Sequence, residues 1–259
     1  MPFADLPGVR LHYQLDGDAS LPVLVLSNSL GTNLEMWQPQ MPALTRQFRV
    51  LRYDTRGHGQ SAVTEGPYRI AQLGGDVIAL LDHLGLQRVH FCGLSMGGIT
   101  GMWLALNHAE RLNKLILCNT AAYIGPPENW TNRAATVQRD GVGSIAAAVV
   151  DKWLTPDFAA AQPALVQHLR AMLSATDANG YAANCLAVRD SDLRGEIARI
   201  ATPTLVIAGS GDIPTPPADG HYLAEAIPGA RYVELYAAHL SNLQQVDGFS
   251  EAVLTFLAD

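Results

Sequence analysis

The sequence has 259 residues, which at about 150 residues per domain suits one large domain or two small ones. Apolar residues make up 48% and charged residues 16%, so the chain has ample surface to bury and is not a disordered one. The 17 Lys and Arg against 24 Asp and Glu leave a formal charge of −7, and the lysines are Lys114 and Lys152 alone, so the basic face of a general nucleic-acid binder is missing. No run approaches the ~18 apolar residues of a membrane-spanning helix, so no membrane partner is expected. Met1-Pro2-Phe3-Ala4-Asp5 has neither a basic start nor an apolar run, so no secretory signal is expected. Cys92, Cys118 and Cys185 are an odd, widely spaced set without CxxC spacing. They suit a reducing compartment, and the cytoplasm is the expected setting.

In chain order, Val9–Leu15 alternates and predicts a half-buried strand, while Val23–Ser27 is continuously apolar, as in a strand buried on both faces. Phe48–Tyr53 predicts the next strand. Ile70, Leu73, Val77, Leu80, Leu81 and Leu84 recur at helical spacing, and Gly85 follows as a stop signal. Val89–Leu94 predicts a strand, Gly97–Asn107 a helix and Leu115–Cys118 a strand. From Ala121 to Gly195 no strand pattern occurs; Ile145–Val150 and Pro163–Leu173 have helical composition. Strand patterns resume at Thr204–Ala208 and Tyr232–Leu235, and a last helix is expected over Asp247–Leu257. This alternation predicts an α/β fold, a mostly parallel central sheet flanked by helices. Residues 1–120 and 196–259 would form the core domain, and 121–195 a helical insertion lying as a lid over the sheet's carboxyl edge.

Gly93-Leu94-Ser95-Met96-Gly97 is a G-x-S-x-G motif between a strand pattern and a helix pattern, the context in which it marks a nucleophile. Ser95 must occupy a sharp, strained turn, and side chains two positions either way would collide. Gly98 and Gly101 would let the departing helix approach the sheet. The start of that helix also brings a positive dipole and free N–H groups to a developing oxyanion. Without these flanks, the pattern would be an ordinary Gly/Ser turn.

A serine hydroxyl needs a base, and the base needs an orienting acid. Of eight histidines, His239 lies in a short loop after a strand pattern, where a parallel sheet delivers groups to its carboxyl edge. Taken alone it would be a solvated loop residue. Asp212, in Gly209-Ser210-Gly211-Asp212 after the Thr204–Ala208 strand, is the expected acid; Asp219 and Glu234 compete less well, lying in a helix and within a strand. The order Ser95, Asp212, His239 matches one of the known triad orders. The oxyanion donors are expected to be the backbone N–H of Met96 and that of Leu30, the latter by analogy with the fold. Asp54-Thr55-Arg56-Gly57-His58-Gly59-Gln60-Ser61 is expected to be a structural turn, and Cys92 and Cys118 core residues.

These segments resemble the α/β-hydrolase superfamily over nearly the whole chain, and within it the 3-oxoadipate enol-lactonases. The closer resemblance is carried by Leu26-Ser27-Asn28-Ser29-Leu30-Gly31, Phe48–Ser61, Phe91–Gly98, Cys118-Asn119-Thr120-Ala121-Ala122 and Gly180-Tyr181-Ala182-Ala183-Asn184-Cys185. Many superfamily members have His-Gly where this chain has Asn28-Ser29. The resemblance implies hydrolysis of a small anionic lactone through an acyl-enzyme on Ser95, with no metal and no organic cofactor. The substrate's carboxylate needs positive charge, and Trp130, Arg133 and Trp153 in the insertion are the expected binding residues. The alternative for them is lid core and a solvated arginine. A general carboxylesterase, a carbon–carbon bond hydrolase of meta-cleavage chemistry, a perhydrolase and a non-catalytic ligand sensor stay open at this point.

Overall fold

The structure is a computed structural model and describes residues 2–259. It opens with a hairpin of β1 (Phe3–Leu6) and β2 (Val9–Asp16), then β3 (Val23–Ser27), a 3-10 segment Leu34–Gln40, α1 (Met41–Leu44) and β4 (Arg49–Tyr53). Next come α2 (Ile70–His83), β5 (Val89–Leu94), α3 (Met96–Asn107) and β6 (Leu112–Cys118). A helical section follows: α4 (Pro127–Asp140), α5 (Ala146–Val150), α6 (Pro156–Ala161), α7 (Pro163–Ser174) and α8 (Ala178–Arg189). The chain closes with β7 (Thr204–Gly209), α9 (Pro217–Ala226), β8 (Arg231–Leu235), α10 (Ser241–Gln244) and α11 (Val246–Ala258). Among the described residues, no helix is long and apolar enough to cross a membrane.

One 8-stranded sheet has the order β1-β2-β4-β3-β5-β6-β7-β8. β2 runs antiparallel to both its neighbours, and β4 through β8 pair in parallel. Helices cover both faces, which is why β5 and β7 are buried along their whole length and read as apolar runs. Leu26, Phe91, Ile116, Leu117 and Ile207 lie at the centre of the core; truncating one of them to Ala would cost about 2–5 kcal/mol. In α2 the buried face is Ile70, Leu73, Val77, Leu80 and Leu81, and the helix stops before Gly85 at φ +68°.

Several elements differ from the sequence expectation. β1 is a strand of four residues, too short for alternation to register. β6 begins at Leu112 rather than Leu115, because Asn113 and Lys114 interrupt the apolar pattern while the strand pairing continues. Val142–Ile145 is a 3-10 turn, so the helix expected from Ile145 begins at Ala146.

The helical section leaves and re-enters the core at a narrow neck, where Tyr123 bridges Asp192 and the Leu193 N–H donates to Ala122 O (2.8 Å). It is fastened to the core on two sides. On one, Asn184 Nδ2 donates to Arg56 O (2.8 Å), and Gly57 lies against Gly180 so closely that a Cβ on Gly57 would stand 2.7 Å from the Gly180 Cα. On the other, the Leu240 N–H donates to Trp153 O (2.9 Å) and Gln244 Nε2 to Thr155 Oγ1 (2.6 Å).

Candidate active site

Ser95 sits between β5 and α3 with φ +57° and ψ −115°, a conformation that L-residues adopt only when the surroundings enforce it. Two glycines make room for it. A Cβ on Gly93 would lie 2.1 Å from Gly97 O, and one on Gly97 would lie 2.3 Å from Ser27 O. The Ser95 N–H donates to Cys118 O (2.9 Å), so β6 holds the turn from the other side. Ser95 is thereby the N-cap of α3, where the dipole is positive.

His239 follows β8 and Asp212 follows β7. The His239 Nδ1 lies 2.9 Å from Asp212 Oδ2 and 3.1 Å from Oδ1. With Nδ1–H given to the carboxylate, Nε2 is the basic nitrogen of the ring. Asp212 is shaped by a turn in which the Gly211 N–H donates to Ala237 O (2.8 Å) and the Asp212 N–H to Gly209 O (3.1 Å). Its carboxylate also accepts from the Thr215 N–H (3.0 Å), Thr215 Oγ1 (2.8 Å) and Asn119 Nδ2 (2.9 Å). Burial works to raise the Asp212 pKa, but His239 and these donors outweigh it and hold the carboxyl below its ordinary range. Of the competing acids, Asp219 lies in α9 with its pKa raised by burial and by Asp212, and Glu234 accepts from the Tyr232 hydroxyl (2.7 Å).

Asn119 and Thr215 were not found from sequence. Asn119 occupies φ +44°, and Ser241 Oγ donates to its Oδ1, which fixes the amide so that Nδ2 points to Asp212. Neither spacing nor composition signals such a role; only the turn after β6 creates it.

The loop after β3 carries Leu30. Asn28 anchors it: its Nδ2 donates to Tyr53 O (2.8 Å), its Oδ1 accepts from Trp37 Nε1 (2.9 Å), and its backbone O accepts from the Gly97 N–H (3.1 Å). The Gly31 N–H donates to His58 Nε2 (2.9 Å). Burial lowers the His58 pKa to about 4, so the ring is neutral at pH 7 and free to accept. Asp54 accepts from the Leu34 N–H (2.8 Å) and the Gln60 N–H (2.9 Å), and its Oδ2 lies 2.7 Å from His12 Nδ1. The turn read as structural therefore braces the loop that holds Leu30. Met96 opens α3, so its N–H has no acceptor within the helix.

Ser95, Leu30 and His239 line one cavity of about 220 Å³. Trp130 and Arg133 from α4, Trp153 from the turn after α5 and Tyr181 from α8 line it too. The Arg133 guanidinium lies 4.8 Å from the centre of the Trp130 ring, and Trp130 Nε1 donates to Ile124 O. Lys152, which the sequence reading did not single out, lines the same cavity. Among the described residues the lining thus has two cations and no carboxylate, inside a protein of net charge −7.

The family model described as alpha/beta hydrolase fold matches residues 22–245. The chain is 47% identical over 245 residues to 3-oxoadipate enol-lactonase 2 of Acinetobacter baylyi, covering 95% of this chain and 92% of that one. It is 40% identical over 250 residues to 3-oxoadipate enol-lactonase 1 of the same organism, covering 96% and 94%. The crystal structure of the enol-lactonase from Burkholderia xenovorans LB400 superposes with a TM-score of 0.98 at 50% identity over 100% of both chains. A strained serine at the strand–helix junction, the sheet order and a match across most of the chain make this protein a member of the α/β-hydrolase family.

Proposed function

We propose that the protein is a serine hydrolase that opens 3-oxoadipate enol-lactone to 3-oxoadipate, in the cytoplasm, on the β-ketoadipate route of aromatic degradation. Ser95, Asp212 and His239 form its triad, and the Leu30 and Met96 amides form its oxyanion hole. Residues 121–195 act as the lid on a core made of 1–120 and 196–259. The observation that carries the reading is the pairing, in one cavity, of the strained Ser95 and carboxylate-bound His239 with a cationic lining. The names of the relatives supply the particular lactone.

Ser95 Oγ attacks the lactone carbonyl carbon while His239 Nε2 takes its proton. The carbonyl oxygen becomes an oxyanion between the Leu30 and Met96 amides. The ring C–O bond then breaks, and His239 protonates the departing enolate oxygen, which tautomerises to the ketone. An enolate leaves more readily than a simple alkoxide. Water, deprotonated by His239, attacks the acyl ester on Ser95; as the tetrahedral intermediate collapses, the C–O bond to Ser95 breaks, the His239 imidazolium returns its proton to Ser95 Oγ, and the product acid leaves as its carboxylate. Asp212 holds His239 in the required tautomer throughout. Trp130, Arg133 and Trp153 bind the substrate, with Arg133 facing its carboxylate.

The test is the loss of enol-lactone absorbance, measured beside a short p-nitrophenyl ester and a vinylogous diketone. The lactone should be the preferred substrate, and Ser95→Ala should lower its turnover by roughly 10⁴-fold or more. Preference for the diketone, or an active Ser95→Ala enzyme, refutes the reading.

A further inference from the structure

Tyr181 joins the lid to the oxyanion loop. A Cβ on Gly31 would come 3.1 Å from its ring, and its ring centre lies 6.2 Å from that of His58. The side chain is 0% exposed, yet it lines the catalytic cavity. Among the described residues its hydroxyl makes no well-formed hydrogen bond, and the Arg133 guanidinium beside it can only donate, so the phenol proton is left without an acceptor. A phenylalanine would fill the same space without stripping a hydroxyl of water, so the bare protein is left with an unfavourable group that a ligand can satisfy. Burial pushes the phenol above its ordinary pKa, with Cys185 adding to this and Arg133 partly offsetting it. The phenol is therefore protonated at pH 7 and available as a donor. The Cys185 thiol beside it is pushed up to about 12 by burial and is neutral as well. Arg133 stands near both groups, and among the described residues the cavity lining supplies no carboxylate to balance it.

We propose that Tyr181 Oη and the Arg133 guanidinium together receive the carboxylate carried by the lactone ring, the phenol donating to one oxygen and the guanidinium to the other. This rests on the enol-lactone reading and adds Tyr181 to it as a specificity-determining residue. A neutral acceptor such as the lactone carbonyl would satisfy the phenol but leave the guanidinium charge uncompensated. A carboxylate satisfies both, and Lys152 on the same lining adds attraction for it.

Tyr181→Phe removes the hydroxyl alone. Two lactones separate the possibilities: the enol-lactone itself, and 5-methyl-2(3H)-furanone, the same ring with a methyl in place of the carboxymethyl group. For the carboxylated lactone, KM should rise about tenfold with kcat within about twofold of wild type. For the methyl lactone, both constants should stay unchanged. The inhibition constant of adipate, a non-reacting dicarboxylate, should weaken by the same factor as KM. The melting temperature should change little, because the phenol proton has no acceptor in the free protein. An unchanged KM and adipate constant, or an equal loss on both lactones, overturns the assignment of Tyr181 while the substrate reading stands. A wild-type enzyme that leaves the carboxylated lactone intact overturns both.

Discussion

His58 accepts the amide proton of Gly31 over 2.9 Å, and this bond ties the turn after β4 to the loop that carries Leu30. The neighbouring Asp54 grips the far end of that loop through the Leu34 amide (2.8 Å). Two side chains of one turn therefore set where Leu30, the proposed oxyanion donor, stands, although neither lines the cavity with Ser95. His58→Ala should lower kcat on the enol-lactone by about 10-fold to 100-fold and leave KM within about twofold. The donor is displaced rather than deleted, so the loss should not exceed that of removing an oxyanion-hole donor. Steady-state kinetics check this.

The same histidine makes stability depend on pH. Its folded pKa is about 4, against an ordinary value of 6.5. Between these values the unfolded chain binds a proton that the folded one refuses, so stability is full above about pH 6.5 and falls as the pH drops toward 4. His90, lowered to about 4 by burial and by Lys114 and Arg88, acts in the same window. The contribution of His58 is on the order of 3 kcal/mol. Melting curves from pH 7 to pH 4 should show the decline, and His58→Gln should flatten it.

Asp212→Asn should reduce kcat by about 10⁴-fold, since the amide favours the wrong tautomer of His239. Asn119→Ala removes one of several donors to Asp212 and should cost about tenfold. Comparing the two variants on the enol-lactone measures how far Asn119 contributes.

Gly93→Ala should destabilise by about 3 kcal/mol or more, because its Cβ would stand 2.1 Å from a backbone oxygen that cannot retreat. Gly75→Ala, in α2 with nothing within 4 Å of the new methyl, should instead stabilise by about 0.5–1 kcal/mol. Urea denaturation of the two variants gives both signs.

Arg133→Ala should raise KM for the carboxylated lactone about tenfold and leave neutral esters nearly unaffected. Equal losses on charged and neutral substrates would count against a carboxylate contact.

Legibility followed burial. β3 and β5 have the same bounds in the sequence reading and in the structure, because strands covered on both faces are apolar along most of their length, with Ser27 and His90 the polar exceptions near an end. β1 did not register, since its pairing with β2 is set by the hairpin and not by its own composition. At the site, Ser95, Asp212 and His239 were picked out by turn chemistry and strand-end position, and the structure places them at those turns. Asn119, Lys152 and Tyr181 carry no such local mark. Each matters through neighbours far off in sequence: Asp212 for Asn119, and the other residues lining the cavity for the other two. His58 was read as a turn residue, which it is, but its bond to Gly31 crosses from one loop to another and leaves no periodic trace.

The roof over the cavity is bolted down at both margins, by Gly57 against Gly180 and Asn184 on one side and by Trp153 and Thr155 on the other. Each of these contacts would have to break before that section could lift away from the sheet. The space beneath it is about 220 Å³, which suits a compact ring more than a long acyl chain. Accommodating larger esters would therefore call for changes to these fastenings before any change to the nucleophile.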